Sequence, residues 1–397
     1  MQWCDALPAR CVQRTRVFVS VISNMKLLLP LTLFLHTANS LVMAQSTAPD
    51  QSSSESLIEM ATQRLLELQA EDGAWPYEGV YRVRRRIPYG YRVGGTAIVC
   101  TSLLYARNSE ASMTAIERGV GIMLNDLAHP LMRAETANQY DVRVWGHIYA
   151  LDLFCRLRLT DRFSQLREQT DPWIPKLVQI LLTEQIADGG WNYAGQTRHA
   201  SFVTAPAVQA LLLARQVGEE VPDKVLSRAR QALLNSRSPN GAFRYSGSSG
   251  RRPTALPGSI ARSAVCESTL LLLNAGNVDQ LREAVAAFYE HWDELEKRRA
   301  KSGTHEGPYN IAPYYFYYGH RYIGQAIRLL PEGERAAAVA QFREVLLRTK
   351  AADNTWNDRV FERSKAYGTA MSVLALLNDV PVPQTVTLRQ AAEHRSP

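Results

Sequence analysis

At 397 residues, 46% of them hydrophobic and 21% charged, the chain can bury a large core and lies far from the high-charge composition of disordered proteins. Five cysteines, with no Cys-x-x-Cys pair and no Cys/His cluster at zinc-finger spacing, exclude a small disulfide scaffold and a zinc-finger module. The net charge of +7 comes without a helix-turn-helix or RNP-like motif, so no nucleic-acid partner is expected, and length alone suggests two or three domains.

In chain order, the first feature is a leader. Lys26 precedes an apolar run from Leu27 to Leu35, and Val42-Met43-Ala44 offers a cleavage site before Gln45. Arg10, Arg14 and Arg16 make residues 1–24 an odd n-region, so Met25 is the expected translation start. Residues 1–44 therefore read as a signal segment of an exported protein, periplasmic or extracellular, whose membrane contact is confined to that segment. They hold four basic residues and one acid, so the charge falls to +4 without them. Residues 45–54 form a polar linker. Cys100, Cys155 and Cys266 sit in apolar runs and are expected as buried thiols.

Internal repeats then decide the architecture. Leu65-Leu66, Leu181-Leu182, Leu233-Leu234 and Leu346-Leu347 are each followed, nine residues after the second Leu, by a large aromatic: Trp75, Trp191, Phe243 and Trp356. A turn precedes each aromatic: Asp72-Gly73, Asp188-Gly189, Asn240-Gly241 and Asp353-Asn354. The aromatics lie 116, 52 and 113 residues apart, a period of about 56 with two degenerate copies in the long gaps. Six repeats follow, each with an amphipathic outer helix and a more uniformly apolar inner one. The outer helices are predicted near 55–69, 110–127, 173–186, 223–236, 278–300 and 332–350. The inner ones are predicted to begin near Thr96, His147, Thr204, Ser263, His320 and Thr369. Twelve helices in six pairs suit a closed ring, so the fold class is all-α, an (α/α)6 toroid over residues 55–380, with 381–397 a flexible tail. One domain replaces the two or three suggested by length.

The elements Gln69-x-x-Asp72-Gly73-x-Trp75 and Gln185-x-x-Asp188-Gly189-x-Trp191 resemble the Q-W repeats of the terpenoid cyclase and protein prenyltransferase superfamily, whose fold is an α/α toroid. The resemblance covers nearly all of residues 55–380 and is structural, because a fold does not fix a function. It implies a ligand in the central cavity, possibly isoprenoid-like. Against it, the chain has neither the Asp-x-Asp-Asp motif of class II cyclases nor Asp-Cys-Thr-Ala-Glu. The prenyltransferase zinc pattern is incomplete: Cys266 and His320 occupy loosely similar places, no Asp lies near, and Glu267 is the available substitute. No metal and no cofactor are expected.

Aligned at their starts, the inner helices carry Thr96, His147, Thr204, Ser263, His320 and Thr369 at one equivalent position. The four hydroxyls read either as helix caps or as ligand contacts. Repeats two and five share an aromatic-Gly-His-x-Tyr pattern, Trp145-Gly146-His147-Ile148-Tyr149 and Tyr318-Gly319-His320-Arg321-Tyr322, 173 residues apart. Duplication of three repeats into six accounts for that, and it places the two histidines on opposite sides of the ring. His147, Tyr149, His320 and Tyr322 are the candidate catalytic or polar-contact residues: imidazoles at helix N-termini suit anion binding or acid and base work. Arg82, Arg84, Arg85, Arg86 and Arg92 precede or open the first inner helix, as solvated surface or as a clamp for phosphate or carboxylate. The aromatic run at 313–318, with Tyr315 and Tyr318, suits a cavity lining or plain packing. Two further readings stand beside an isoprenoid-binding toroid: a carbohydrate-active, lyase-type enzyme in which His or Tyr abstracts a proton, and a non-catalytic scaffold whose centre is filled.

Overall fold

The computed structural model describes residues 51–78, 86–106, 109–133, 142–194, 197–247 and 254–388. The expected signal segment at 1–44, and Arg82, Arg84 and Arg85, lie outside the described residues. Fourteen α-helices are described: α1 Gln51–Glu67, α2 Tyr89–Tyr105, α3 Glu110–Ala128, α4 Arg143–Arg158, α5 Ser164–Thr170, α6 Trp173–Thr183 and α7 Ser201–Gln216. They continue as α8 Asp223–Ser236, α9 Ile260–Leu272, α10 Val278–Glu290, α11 Trp292–Glu296, α12 Tyr315–Leu329, α13 Glu332–Leu347 and α14 Ser364–Leu376. Among them, no helix is long and apolar enough to cross a membrane.

The helices close a ring. Inner helices pack in the cycle α2, α4, α7, α9, α12, α14 and back to α2. The outer helices α3, α6, α8, α10 and α13 pack on α2, α4, α7, α9 and α12, while α1 reaches α14 and joins the two ends of the chain. This is an (α/α)6 toroid, as the repeat spacing predicts. The two helix classes differ in sequence for a physical reason. In α8, Leu226, Ala229 and Leu233 form one buried stripe and Lys224, Gln231 and Asn235 are exposed. By contrast α2 is buried from Val93 through Leu104, because it touches neighbours on every side.

What holds one pair to the next is the Gln-x-x-Asp-Gly-x-Trp turn. Trp191 is fully buried; its Nε1 donates to Leu181 O at 2.7 Å, and Trp75 and Trp356 repeat this with Leu65 O and Leu346 O. The side-chain amide of Gln185 donates to Gly189 O and to Val225 O at the start of α8, and Arg228 of that helix donates to Gln185 Oε1. Gln69 and Arg118 make the same lock between the first turn and α3. The turn lies flush on the next outer helix. Gly189 has φ +100°, and a Cβ there would sit 2.5 Å from Arg228 O. Gly189→Ala is therefore expected to cost about 1–3 kcal/mol from the left-handed backbone alone, and more from the overlap, read as a lower urea midpoint.

Three sequence expectations change: residues 51–54, expected as the end of a polar linker, form the first turn of α1. Inner helices start three to seven residues earlier than predicted, at Tyr89 rather than Thr96 and at Ser201 rather than Thr204, for example, so the aligned hydroxyls are not N-caps. Residues 381–388, expected as part of a flexible tail, are tied to the ring: Val386 N donates to Leu272 O, Arg156 donates to Pro381 O, and Leu388 is buried.

Candidate functional site

The six aligned positions serve the fold. Thr96, Thr204 and Thr369, expected as caps or ligand contacts, are fully buried and accept the backbone N–H of Trp75, Trp191 and Trp356 at 2.9, 3.0 and 3.0 Å. In the fourth repeat Ser259 takes that role for Phe243 at 2.7 Å, and the aligned Ser263 bonds only to Ser259. In repeats two and five the histidines also tie the inner helix to the segment before it. His320 accepts from Trp292 Nε1 at 3.0 Å and bonds Phe316 O through Nδ1 at 2.7 Å. His147 lies against the Met132 backbone with Nδ1 unpartnered. Burial pushes His147 down to about 3 and His320 down to about 4, with Arg143 and Arg299 adding repulsion, so both rings are neutral and neither suits an anion.

The tyrosines of the same motif behave oppositely, since residues two apart on a helix point about 200° apart. Tyr149 and Tyr322 project to the axis, where their hydroxyls meet at 3.3 Å across the ring. Gln209 and Gln325 exchange two amide hydrogen bonds deeper in, at 2.9 and 3.2 Å. A cavity of about 30 Å³ remains there, enough for a water or two and far too little for an isoprenoid chain. Side chains thus fill the axis at this level.

Other candidate residues are also committed. Arg92 bridges Asp126 at 2.9 Å and Asp72 at 3.1 Å, stapling the first turn to α3 instead of facing a ligand, and Arg86 is exposed. Cys266, Glu267 and His320 do not converge: Cys266 donates to Ser201 O, Glu267 pairs with Arg237 at 2.7 Å, and His320 holds Trp292. Cys100, Cys155 and Cys266 are buried thiols, each pushed up by burial.

Where the inner helices begin, aromatic side chains form a collar. One half comprises Tyr77, Tyr91, Trp145, Tyr149 and Tyr367, with ring centroids 4.3–6.4 Å apart in the pairs that touch. The other comprises Tyr193, Phe202, Tyr245, Tyr314, Tyr315 and Tyr318. Tyr318 packs its ring at 59° against Tyr322, centroids 4.7 Å apart, and donates to Phe202 O at 2.6 Å, which joins the second half to the axis. Tyr315 is buried, with the Arg262 guanidinium 5.6 Å from its ring centroid.

Within the first half lies a carboxyl that sequence reading missed. Asp358 is fully buried, accepts from Tyr77 Oη at 3.3 Å through Oδ2, and has no partner for Oδ1. Burial, partly offset by Arg359, pushes it up to about 7. Arg359 beside it is 2% exposed with Nε and Nη2 unpartnered. Nothing local marks these residues, because Tyr77 and Asp358 stand 281 positions apart and meet only when the ring closes.

A second missed cluster is Asp188, His199 and Ser236. His199 Nδ1 lies 2.7 Å from Asp188 Oδ2 and Nε2 lies 2.6 Å from Ser236 Oγ, the order of a hydrolase triad. Ser236 is fully buried and its hydroxyl also faces Ala232 O and Gly247 O, so no acyl group reaches it and the chain of bonds clamps the third turn to α8.

Solved structures share this ring. The type II terpene cyclase MstE from Scytonema superposes with a TM-score of 0.51 at 16% identity, over 83% of this chain and 98% of that one. The α-1,6-mannanase GH76A of Salegentibacter sp. HEL1_6 gives 0.54 at 11% identity, over 82% and 98%. The common element is the α/α toroid. At these identities the likeness is one of fold, and it agrees with the Q-W repeat resemblance. No protein-family model matches the chain, and no curated protein matches it.

Proposed function

We propose that this chain binds a largely apolar, isoprenoid-like small molecule in the aromatic collar, with Asp358 and Arg359 holding its polar end. The observation that carries this reading is the pair of buried, incompletely bonded groups inside a shell of Tyr and Trp rings. Unsatisfied buried polar atoms cost about 1–3 kcal/mol each, so a ligand group that bonds Asp358 Oδ1 and the two Arg359 nitrogens would be favoured by that amount. The aromatic faces suit an extended unsaturated chain, and a carboxyl that burial keeps partly protonated at neutral pH can donate a hydrogen bond or a proton to it. A MstE variant has been captured with geranylgeranyl dihydroxybenzoate, so a toroid of this size can take such a chain. Glycoside hydrolysis usually requires two carboxylates flanking the bond, whereas the groups that interact with Asp358 among the described residues are Arg359 and the phenols of Tyr77, Tyr367 and Tyr317.

The test is a titration of the purified protein, freed of co-purifying lipid identified by mass spectrometry, with a C20 isoprenoid alcohol and with an oligosaccharide, followed by Trp fluorescence. Saturable quenching by the isoprenoid alone is expected, with Trp145→Ala weakening it about tenfold, the scale of one lost aromatic anchor. Binding of the oligosaccharide alone would transfer the site to the carbohydrate reading. Binding of neither would leave a scaffold with a filled centre.

A further inference from the structure

Besides the Tyr149 and Tyr322 hydroxyls, α4 and α12 bring three cationic side chains together: Arg156, Arg321 and Arg328. Arg156 is accounted for, since Nε donates to Asp152 Oδ2 at 2.8 Å and Nη1 to Pro381 O at 3.0 Å. Arg321 is not. It is 6% exposed, its Nη1 has no partner, and with Tyr149, Asp152, Arg156, Gln209 and Tyr322 it lines the axial cavity of about 30 Å³. Arg328 donates to Leu377 O through Nη1 while its Nε and Nη2 are buried without partners.

The charges do not balance. Asp152 is the carboxylate lining this cavity, and it is committed to Arg156; Asp379, near Arg328, is exposed. The phenols supply no negative charge, because burial holds Tyr149 well above its usual range and pushes Tyr322 up to about 12. Burial and repulsion from Arg156 lower both guanidiniums, Arg328 down to about 9, and the attraction of Asp152 and the Tyr322 ring for Arg321, and of Asp379 for Arg328, offsets only part of this. An unpaired buried cation is among the costliest arrangements in a protein interior. The remaining cavity lining offers donors: Arg321 Nη1 and whichever hydroxyl of the Tyr149–Tyr322 pair does not donate to the other.

We propose that the axial cavity binds one small monovalent anion of chloride size, which neutralises Arg321 and completes the ring's core. The volume takes a monatomic ion and at most a water beside it, so a four-oxygen anion is excluded by size. The site shares Tyr149 with the collar, but no other collar ring lines this cavity and its cation, Arg321, is not a collar residue.

The experiment is thermal unfolding of the whole protein in chloride and in gluconate at one ionic strength. The expected result is a saturable rise of several degrees in Tm with chloride, as mass action requires of a ligand that binds only the folded state. Arg321→Met should abolish that dependence and melt no lower in gluconate than wild type does. Equal wild-type Tm values in the two salts, or a chloride response retained by Arg321→Met, would overturn the proposal. Should Arg321→Met not fold, wild-type crystals soaked in bromide decide: an anomalous peak within hydrogen-bond distance of Arg321 supports the site, and its absence at saturating bromide refutes it.

Discussion

Trp191→Ala is expected to lower unfolding free energy by about 3–5 kcal/mol, the range for truncating a fully buried large aromatic. Trp191 has no exposed surface, and it does three jobs at once. Its ring fills the gap between α6 and α7, its Nε1 satisfies Leu181 O near the end of α6, and its backbone N–H and C=O are both held by Thr204 Oγ1. Alanine leaves a void and an orphaned carbonyl. The repeats provide an internal control, because the fourth one places Phe243, also fully buried, at the equivalent turn without the indole N–H. Trp191→Phe should therefore keep most of the packing and cost about 1–2 kcal/mol for the hydrogen bond and the smaller ring. Urea unfolding of the three proteins measures both differences. A Phe variant as unstable as the Ala variant would mean that the indole bond, not ring volume, holds the repeat.

The ring was legible because its signals are local. A Leu pair, a turn with Gly or Asn in the left-handed conformation and an aromatic within about fifteen residues describe one helix end and its closing residue, and the description recurs in register. The inner-helix starts were less legible. Tyr89-Gly90-Tyr91-Arg92 and Tyr315-Phe316-Tyr317-Tyr318 have weak helix propensity, and these turns are helical because burial against neighbours on all sides overrides propensity. Half of the His-x-Tyr motif was misassigned for a geometric reason: two residues along a helix is the far face, so His147 and Tyr149 never share a site. The functional alternative to the histidines was present as Tyr149, Asp152 and Arg156, at i, i+3 and i+7 on one face. Asp358 was beyond reach. Its partner Tyr77 lies in the first repeat and it lies in the sixth, so only closure of the ring brings a carboxyl and a phenol from opposite ends of the chain into one apolar collar.

Asp358→Asn is expected to stabilise the protein by up to about 4 kcal/mol at pH 8 and to change little at pH 4. In the unfolded chain the carboxyl has its ordinary value of 3.8, and in the folded chain burial raises it to about 7. Between those values the unfolded state releases a proton that the folded state keeps, so the stability associated with Asp358 is complete below about pH 4 and falls steadily to pH 7. Above pH 7 both states are ionised and the loss is constant, about 1.36 kcal/mol for each pH unit that separates the folded value from the unfolded one. Asparagine keeps the shape and the acceptor for Tyr77 but has no proton to lose, so its curve should be flatter. Glu267, also pushed up to about 7, remains in both proteins and cancels in their difference. Guanidinium unfolding of wild type and variant from pH 4 to pH 8 measures that difference directly, and parallel curves would refute a buried, neutral Asp358. A gain in stability accompanied by lost isoprenoid binding would identify Asp358 as a group kept for the ligand at the expense of the fold.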